Sequence, residues 1–231
     1  MSIKEWFKKW FKPVPPSLEA PAPVVEDSDW DGKELASADS TGKLKLGVVI
    51  GHTKVKPGAK LAGSGGQHEY HYNKVVAQQM IDYAKKAHPM VSIEVFFRDE
   101  GGIAGAYGGA IKAMCDAVIE LHFNAFNGTV KGTSTLTTAD YSDGQFAHYI
   151  HKAMCKLFGR DGASRGVKSI SRSDRGGVNV HSFPAGVNCL VEPFFGDNDE
   201  EAKMGIRLSQ PYAQCLVDAV VLWGKQVDLL K

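Results

Sequence analysis

Residues 45–52 read KLGVVIGH, a short apolar run closed by Gly51-His52. An apolar run that does not alternate with polar residues predicts a strand buried on both faces, as in a sheet covered by helices. Working outward, a polar, Gly-rich loop runs through Gly66, and Glu69–Ala87 then places Val75, Val76, Met80, Ile81 and Ala84 at helical spacing. That segment predicts a helix packed on the sheet. Val91–Phe97 (VSIEVFF) predicts a second strand by its β-branched and aromatic content. A small-residue helix over Ile103–Cys115 and a strand over Ala117–Leu121 (AVIEL), ending at His122, follow. Further on come a strand over Gly132–Thr138, a helix over Phe146–Phe158 and a strand over Asn188–Phe194 (NCLVEPF). The last helix spans Asn198–Gln226, with a break expected near Pro211. Strand and helix alternate, which predicts an α/β sandwich with a mostly parallel central sheet flanked by helices.

The chain has 231 residues, 43% hydrophobic and 23% charged, which suits one domain plus a tail and excludes collagen, a coiled coil and wholesale disorder. No apolar run reaches the roughly 18 residues of a membrane span. Net charge is +1, from 27 basic and 26 acidic residues, which argues against a nucleic-acid partner bound by counterion release. Cys115, Cys155, Cys189 and Cys215 lie far apart, and we expect them reduced and buried. The first twelve residues, MSIKEWFKKWFK, put Ile3, Trp6, Phe7, Trp10 and Phe11 at helical spacing among lysines. Such a segment suits peripheral contact with an anionic membrane, or packing on the domain or on a partner. It is not a secretory signal, because no apolar core follows. Residues 13–42 read as a linker, rich in proline (Pro13, Pro15, Pro16, Pro21, Pro23) and then acidic, and the folded domain is expected over 43–231.

Chemistry concentrates at the strand ends. In parallel sheets the ligand site lies beyond the carboxyl ends of the strands, and His52, His122 and Glu192 all fall there. Two histidines and a carboxylate make a common catalytic zinc set, which leaves a fourth position for water and lowers the pKa of that water. The candidate ligands are His52, Glu69 and His122. His68 and His71 flank Glu69 and are rivals for its place, although HEYH (68–71) is not the HExxH of helical zinc proteases. His148 and His151 lie on a predicted helix, where surface or packing roles outweigh a second metal. The glycines of GSGG (63–66) lack the ending of a phosphate loop. Asn124 either fixes the turn that carries His122 or binds substrate. The loop 171–183 (SRSDRGGVNVHSF) offers Arg175 for peptide carboxylates and His181 as a further substrate contact.

Four motifs occur in order: VVIGH (48–52), HEYHYN (68–73), IELHFN (119–124) and LVEPFFGDN (190–198), with FFRDE (96–100) between the second and third. In this order and spacing the chain resembles the zinc-dependent N-acetylmuramoyl-L-alanine amidases over about residues 45–225. The resemblance implies that His52, Glu69 and His122 bind Zn2+ and that Glu192 is the catalytic carboxylate. It implies peptidoglycan as substrate, cut at the amide between N-acetylmuramic acid and L-alanine of the stem peptide. Two positions depart from the family pattern: Thr53 replaces a glycine, and Glu120 replaces the serine two residues before the second histidine. Both neighbour ligands without being ligands, so the metal set is expected to survive. A phage-type lysin is the expected setting, made in the cytoplasm without an export signal, acting on the cell wall, and monomeric. Two rivals remain at this point: a zinc carboxypeptidase acting on stem peptides, for which Arg172 and Arg175 are the candidate clamps, and a non-catalytic wall-binding module.

Overall fold

A computed structural model of the chain describes residues 44–160 and 164–230. The amphipathic stretch 1–12 and the linker 13–42 lie outside the described residues. Six strands form one sheet: β1 (Leu44–Ile50), β2 (Val91–Phe97), β3 (Ala117–Leu121), β4 (Ser134–Thr137), β5 (Gly166–Ser169) and β6 (Val187–Glu192). Their order is β2-β1-β3-β6-β4-β5. β1, β2, β3 and β6 run parallel, β4 runs antiparallel to β6, and β5 is parallel to β4. The sheet is thus mostly parallel, as the alternation of elements predicts.

The helices are α1 (Glu69–Ala87), α2 (Gly102–Lys112), α3 (Tyr141–Leu157), the single turn α4 (Gly177–Val180), α5 (Asp199–Arg207) and α6 (Ser209–Gln226). Right-handed crossovers explain how they are divided between the two faces. The chain steps from β1 to β2 in one direction, then from β2 back past β1 to β3, so α1 and α2 must cover opposite faces. On the larger face Leu46, Val48, Ile50, Ile119, Leu121 and Val191 meet apolar residues of α1, α3 and α6. On the smaller face Val49 and Val118 pack with Ala106, Tyr107 and Ala110 of α2 and with Phe183. Every described residue of β1 except Lys45 is buried, which accounts for its unbroken apolar sequence.

Four elements differ from the sequence expectation, among them α4, a single turn inside the stretch 171–183 that reads as a loop. β5 (GVKS) was not expected; it is a four-residue edge strand with partly exposed side chains and no burial pattern. The break expected near Pro211 in the terminal helix is present but falls at Leu208, and Pro211 sits in the first turn of α6, where its missing N–H costs nothing. α3 begins at Tyr141 instead of Phe146, because Asp140 caps it by accepting from the N–H groups of Ser142 and Asp143. All four cysteines are buried and none is in a disulfide, as expected.

Candidate metal centre and active site

Strand register assembles the site. Ile50 of β1 lies opposite Leu121 of β3, and Leu121 lies opposite Val191 of β6. One residue later β1 and β3 leave the sheet at the same edge, beside Glu192, the last residue of β6, with Gly51 N–H donating to the Leu121 carbonyl (3.1 Å) and His122 N–H to the Val191 carbonyl (3.1 Å). His122 therefore emerges between the Gly51-His52 step and Glu192. His52 has φ 67°, a left-handed conformation uncommon outside glycine. A Cβ on Gly51 would stand 2.5 Å from Cε1 of His122, so the residue before His52 must be glycine because the ring passes over it.

Glu69 reaches the same point from the first position of α1 and is 2% exposed. No side chain caps this helix start. Loop carbonyls take over: Ala59 accepts from Glu69 N–H and Pro57 from Tyr70 N–H, each at 3.0 Å. Oε1 of Glu69 lies 2.7 Å from Nδ1 of His122 and accepts from the N–H of Phe123 at 3.0 Å, while Oε2 lies 3.0 Å from Nε2 of His52. The two imidazoles meet edge-on, with centroids 5.0 Å apart. One ligand atom from each of His52, Glu69 and His122 lies within 4.8 Å of the others, and among the described residues no other group of this kind forms. Two imidazole nitrogens and a carboxylate oxygen are the donors zinc takes at catalytic sites. The chain also leaves space around them: at Gly58 (φ 81°) a Cβ would come within 2.7 Å of both Glu69 Oε2 and the His52 ring. The residues present fit a zinc ion.

Electrostatics couple the three groups. Burial alone would raise the Glu69 carboxyl, but hydrogen bonds and charge from His122 and His52 outweigh it and hold the group down to about 2. Burial also disfavours a charged His122, yet the carboxylates of Glu120 and Glu69 prevail and raise the ring to about 10. Asp99 of the FFRDE segment braces the whole entrance, accepting from Lys54 N–H and from the Tyr70 hydroxyl, both at 2.7 Å. Thr53, one of the departures from the family pattern, closes a tight turn with Lys56, whose N–H its hydroxyl accepts at 3.1 Å. Asn73, one turn after Glu69, ties α1 to β3 by donating to the Leu121 carbonyl at 3.0 Å.

Glu192 ends β6 beside this cluster. Its Oε2 accepts from Asn124 Nδ2 (2.8 Å) and from Ser134 Oγ (2.7 Å). Asn124 also accepts from Ala125 N–H at 3.0 Å, so it both shapes the turn after His122 and orients Glu192. Ser134 was not singled out in the sequence. The antiparallel pairing of β4 places it opposite Glu192, and a lone serine in a strand carries no sign of that. Glu120, the other departure, is fully buried, with Oε1 3.1 Å from Nε2 of His122.

The remaining candidates lie elsewhere. His68 turns its Nδ1 to the Gly58 carbonyl (3.0 Å), and His71 packs edge-on against Tyr70, whereas Glu69 between them joins the group with His52 and His122. His151 is buried against Thr135 (3.0 Å) and Cys155 (3.3 Å), a packing role. Arg175 is exposed, and Arg172 donates to the His181 carbonyl at 3.3 Å. His181 lies 3.0 Å from the Ile170 carbonyl and lines a cleft with Thr138, Asp143 and Val187. That cleft sits at the end of β4 and the start of β6, the sheet edge opposite Glu192, so His181 is not brought to the group of His52, Glu69 and His122.

The family model for N-acetylmuramoyl-L-alanine amidase matches residues 47–220. The chain belongs to this amidase family. No curated protein matches it at a significant level. Among solved structures it resembles the catalytic domain of CwlV, an N-acetylmuramoyl-L-alanine amidase from Bacillus (Paenibacillus) polymyxa var. colistinus. There the TM-score is 0.65 and the identity 17%, over 81% of this chain and 100% of that one. An N-acetylmuramoyl-L-alanine amidase from Clostridium difficile 630 gives 0.65 and 16%, covering 82% and 98%. The catalytic domain of the CD27L endolysin targeting Clostridia difficile gives 0.60 and 23%, covering 78% and 97%. At these identities the structures speak for the fold, and the family match speaks for amide hydrolysis in peptidoglycan as the activity of this amidase.

Proposed function

We propose that this amidase is zinc-dependent and cleaves the amide between N-acetylmuramic acid and the L-alanine of the stem peptide. The observation that carries the reading is the convergence of His52, Glu69 and His122 within 4.8 Å at the sheet edge where β6 delivers Glu192. Zinc held there would polarise the scissile carbonyl and acidify a water molecule. Glu192 accepts the proton of the attacking water and returns it to the leaving amine. Among the described residues both donors to Glu192 fall on Oε2, which leaves Oε1 to carry that proton. Asn124 and Ser134 thereby fix which carboxylate oxygen faces the chemistry.

The test is digestion of purified peptidoglycan with mass spectrometry of the products, with and without a chelator, beside Glu192→Ala. Chelator-sensitive release of intact stem peptides with a free L-alanine amine, lost in the variant, is the expected result. Release of single terminal amino acids would instead indicate a carboxypeptidase, and absence of both products and zinc would indicate a binding module. The likeness to an endolysin catalytic domain supports a phage-type lysin as the setting. Membrane contact through residues 1–12, ahead of the linker 13–42, belongs to the same proposal and rests on Trp6, Trp10 and the neighbouring lysines. Loss of binding to anionic vesicles on replacing both tryptophans with alanine tests it, and a parent protein that ignores such vesicles refutes it.

A further inference from the structure

Glu120 stands where the amidase pattern has serine, and the fold gathers a set of donors around it. The residue is the penultimate position of β3 and is fully buried on the smaller face of the sheet. Its Oε1 lies 3.1 Å from Nε2 of His122, accepts from Arg98 at 3.1 Å and from Asn179 Nδ2 at 2.8 Å. Its Oε2 accepts from the Tyr107 hydroxyl and from Asn179 Nδ2, both at 2.8 Å. These donors come from four places: the turn after β3, the end of β2, α2 and α4. A buried carboxylate is costly unless it is paired and hydrogen-bonded, and here Arg98 supplies the charge while Asn179 bridges both oxygens. The carboxylate is consequently held rigid at one nitrogen of a ring whose other nitrogen, Nδ1, faces Glu69.

We propose that Glu120 is a positioning residue for the metal site: it accepts the Nε2–H of His122 and so reserves the Nδ1 lone pair for zinc. This rests on the zinc amidase reading. An imidazole can present a lone pair from either nitrogen, and the hydrogen bond at one nitrogen decides which. A carboxylate behind the ring fixes both tautomer and orientation, and loss of such a partner typically costs about 10–100-fold in metal affinity. A serine at position 120 has a shorter reach and no charge. The buried carboxylate in its place explains why Arg98, Tyr107 and Asn179 all converge on this point. It also explains why α4, a single turn, is anchored to the sheet through Asn179.

Three measurements test the assignment. Zinc affinity is read by competition with a chromophoric chelator for the full-length protein, Glu120→Gln and Tyr107→Phe. Glu120→Gln should bind zinc about 10–100-fold more weakly. Tyr107→Phe removes a donor from the same carboxylate without touching His122, and should stay within about threefold of the parent, less than the loss of a buried partner costs. Equal losses in the two variants, or parental affinity in a folded Glu120→Gln, overturn the proposal while leaving the zinc amidase reading intact. Should Glu120→Gln fail to fold, the parent protein loaded with cadmium-113 decides the matter by nitrogen NMR. Metal coupling to Nδ1 of His122 with a proton on Nε2 supports the assignment, and coupling to Nε2 refutes it. A parent that binds neither metal overturns this inference and the proposed zinc dependence together.

Discussion

Gly58→Ala probes how tightly the loop between β1 and α1 is fitted to the candidate ligands Glu69 and His52. Gly58 has φ 81°, and a left-handed conformation costs an L-residue about 1–2 kcal/mol. The added Cβ would also meet Glu69 Oε2 and His52 Cδ2 at 2.7 Å and Glu69 Cβ at 2.9 Å. Glu69 is pinned by the Phe123 N–H and by both imidazoles, so it cannot step aside freely. If the loop moves instead, it strains the bonds from Glu69 and Tyr70 N–H to Ala59 and Pro57, and a buried hydrogen bond left unmade costs about 1–3 kcal/mol. The total is about 2–5 kcal/mol. Gly63→Ala is the control, because Gly63 is also left-handed (φ 68°) but has nothing within 4 Å of its added Cβ. It should lose about 1–2 kcal/mol, the backbone cost alone. At about 2–4 °C per kcal/mol for a domain of this size, the control melts about 2–8 °C lower and Gly58→Ala about 4–20 °C lower. Calorimetry with zinc titration on both variants gives the comparison. Gly58→Ala should also bind zinc at least about tenfold more weakly, the equivalent of 1.4 kcal/mol displaced onto the ligands, whereas Gly63→Ala should bind like the parent. Equal melting losses and equal zinc affinities in the two variants would refute the claim that the loop is shaped around Glu69 and His52.

Ser134→Ala and Asn124→Ala each free Glu192 Oε2 from one donor, and each should lower kcat about tenfold, a part of what a positioned acid–base contributes, with zinc content unchanged. A fall in zinc content instead of kcat would show that these residues serve the ligands. Gly205→Ala on α5 would place a Cβ 2.3 Å from Cζ of Phe194, and overpacking there should cost about 1–3 kcal/mol in denaturant unfolding; an unchanged midpoint contradicts this. In chelated protein the buried cluster should set a pH window. Glu69 and Glu120 lie near 2, below their ordinary 4.5, so the stability they contribute is present above pH 4.5 and is lost as pH falls towards 2. His122 lies near 10, above its ordinary 6.5, so its contribution is present below pH 6.5 and is lost as pH rises towards 10. Thermal melts of the chelated protein should therefore peak between pH 4.5 and 6.5, and a flat profile from pH 5 to 9 counts against the cluster.

What the sequence announces and what it hides follow from one distinction: local periodicity is written in consecutive residues, and tertiary pairing is not. α1 is legible over Glu69–Ala87 because its apolar residues recur at 3.6-residue spacing, β1, β3 and β6 because buried strands leave apolar runs, and β2 by its β-branched and aromatic content. His52 and His122 are legible as candidate ligands because each stands at the end of such a run, and strand ends in a parallel sheet converge on one edge. β5 and α4 are four residues each, too short for any period to show. The direction of β4 decides that Ser134 faces Glu192, yet a strand reads alike in either direction, so Ser134 stays silent. Glu120 is the most instructive case. In AVIEL it alternates with Ile119 and Leu121 and falls on the face that Val118 also occupies, where pattern alone demands an apolar residue. A charged side chain at a position patterned for the core is a local contradiction, and such contradictions mark functional or strained sites. Arg98, Tyr107 and Asn179 resolve it, and they lie 22, 13 and 59 residues away. The sequence therefore shows that Glu120 must be compensated, and only the fold shows that the compensation ends on His122.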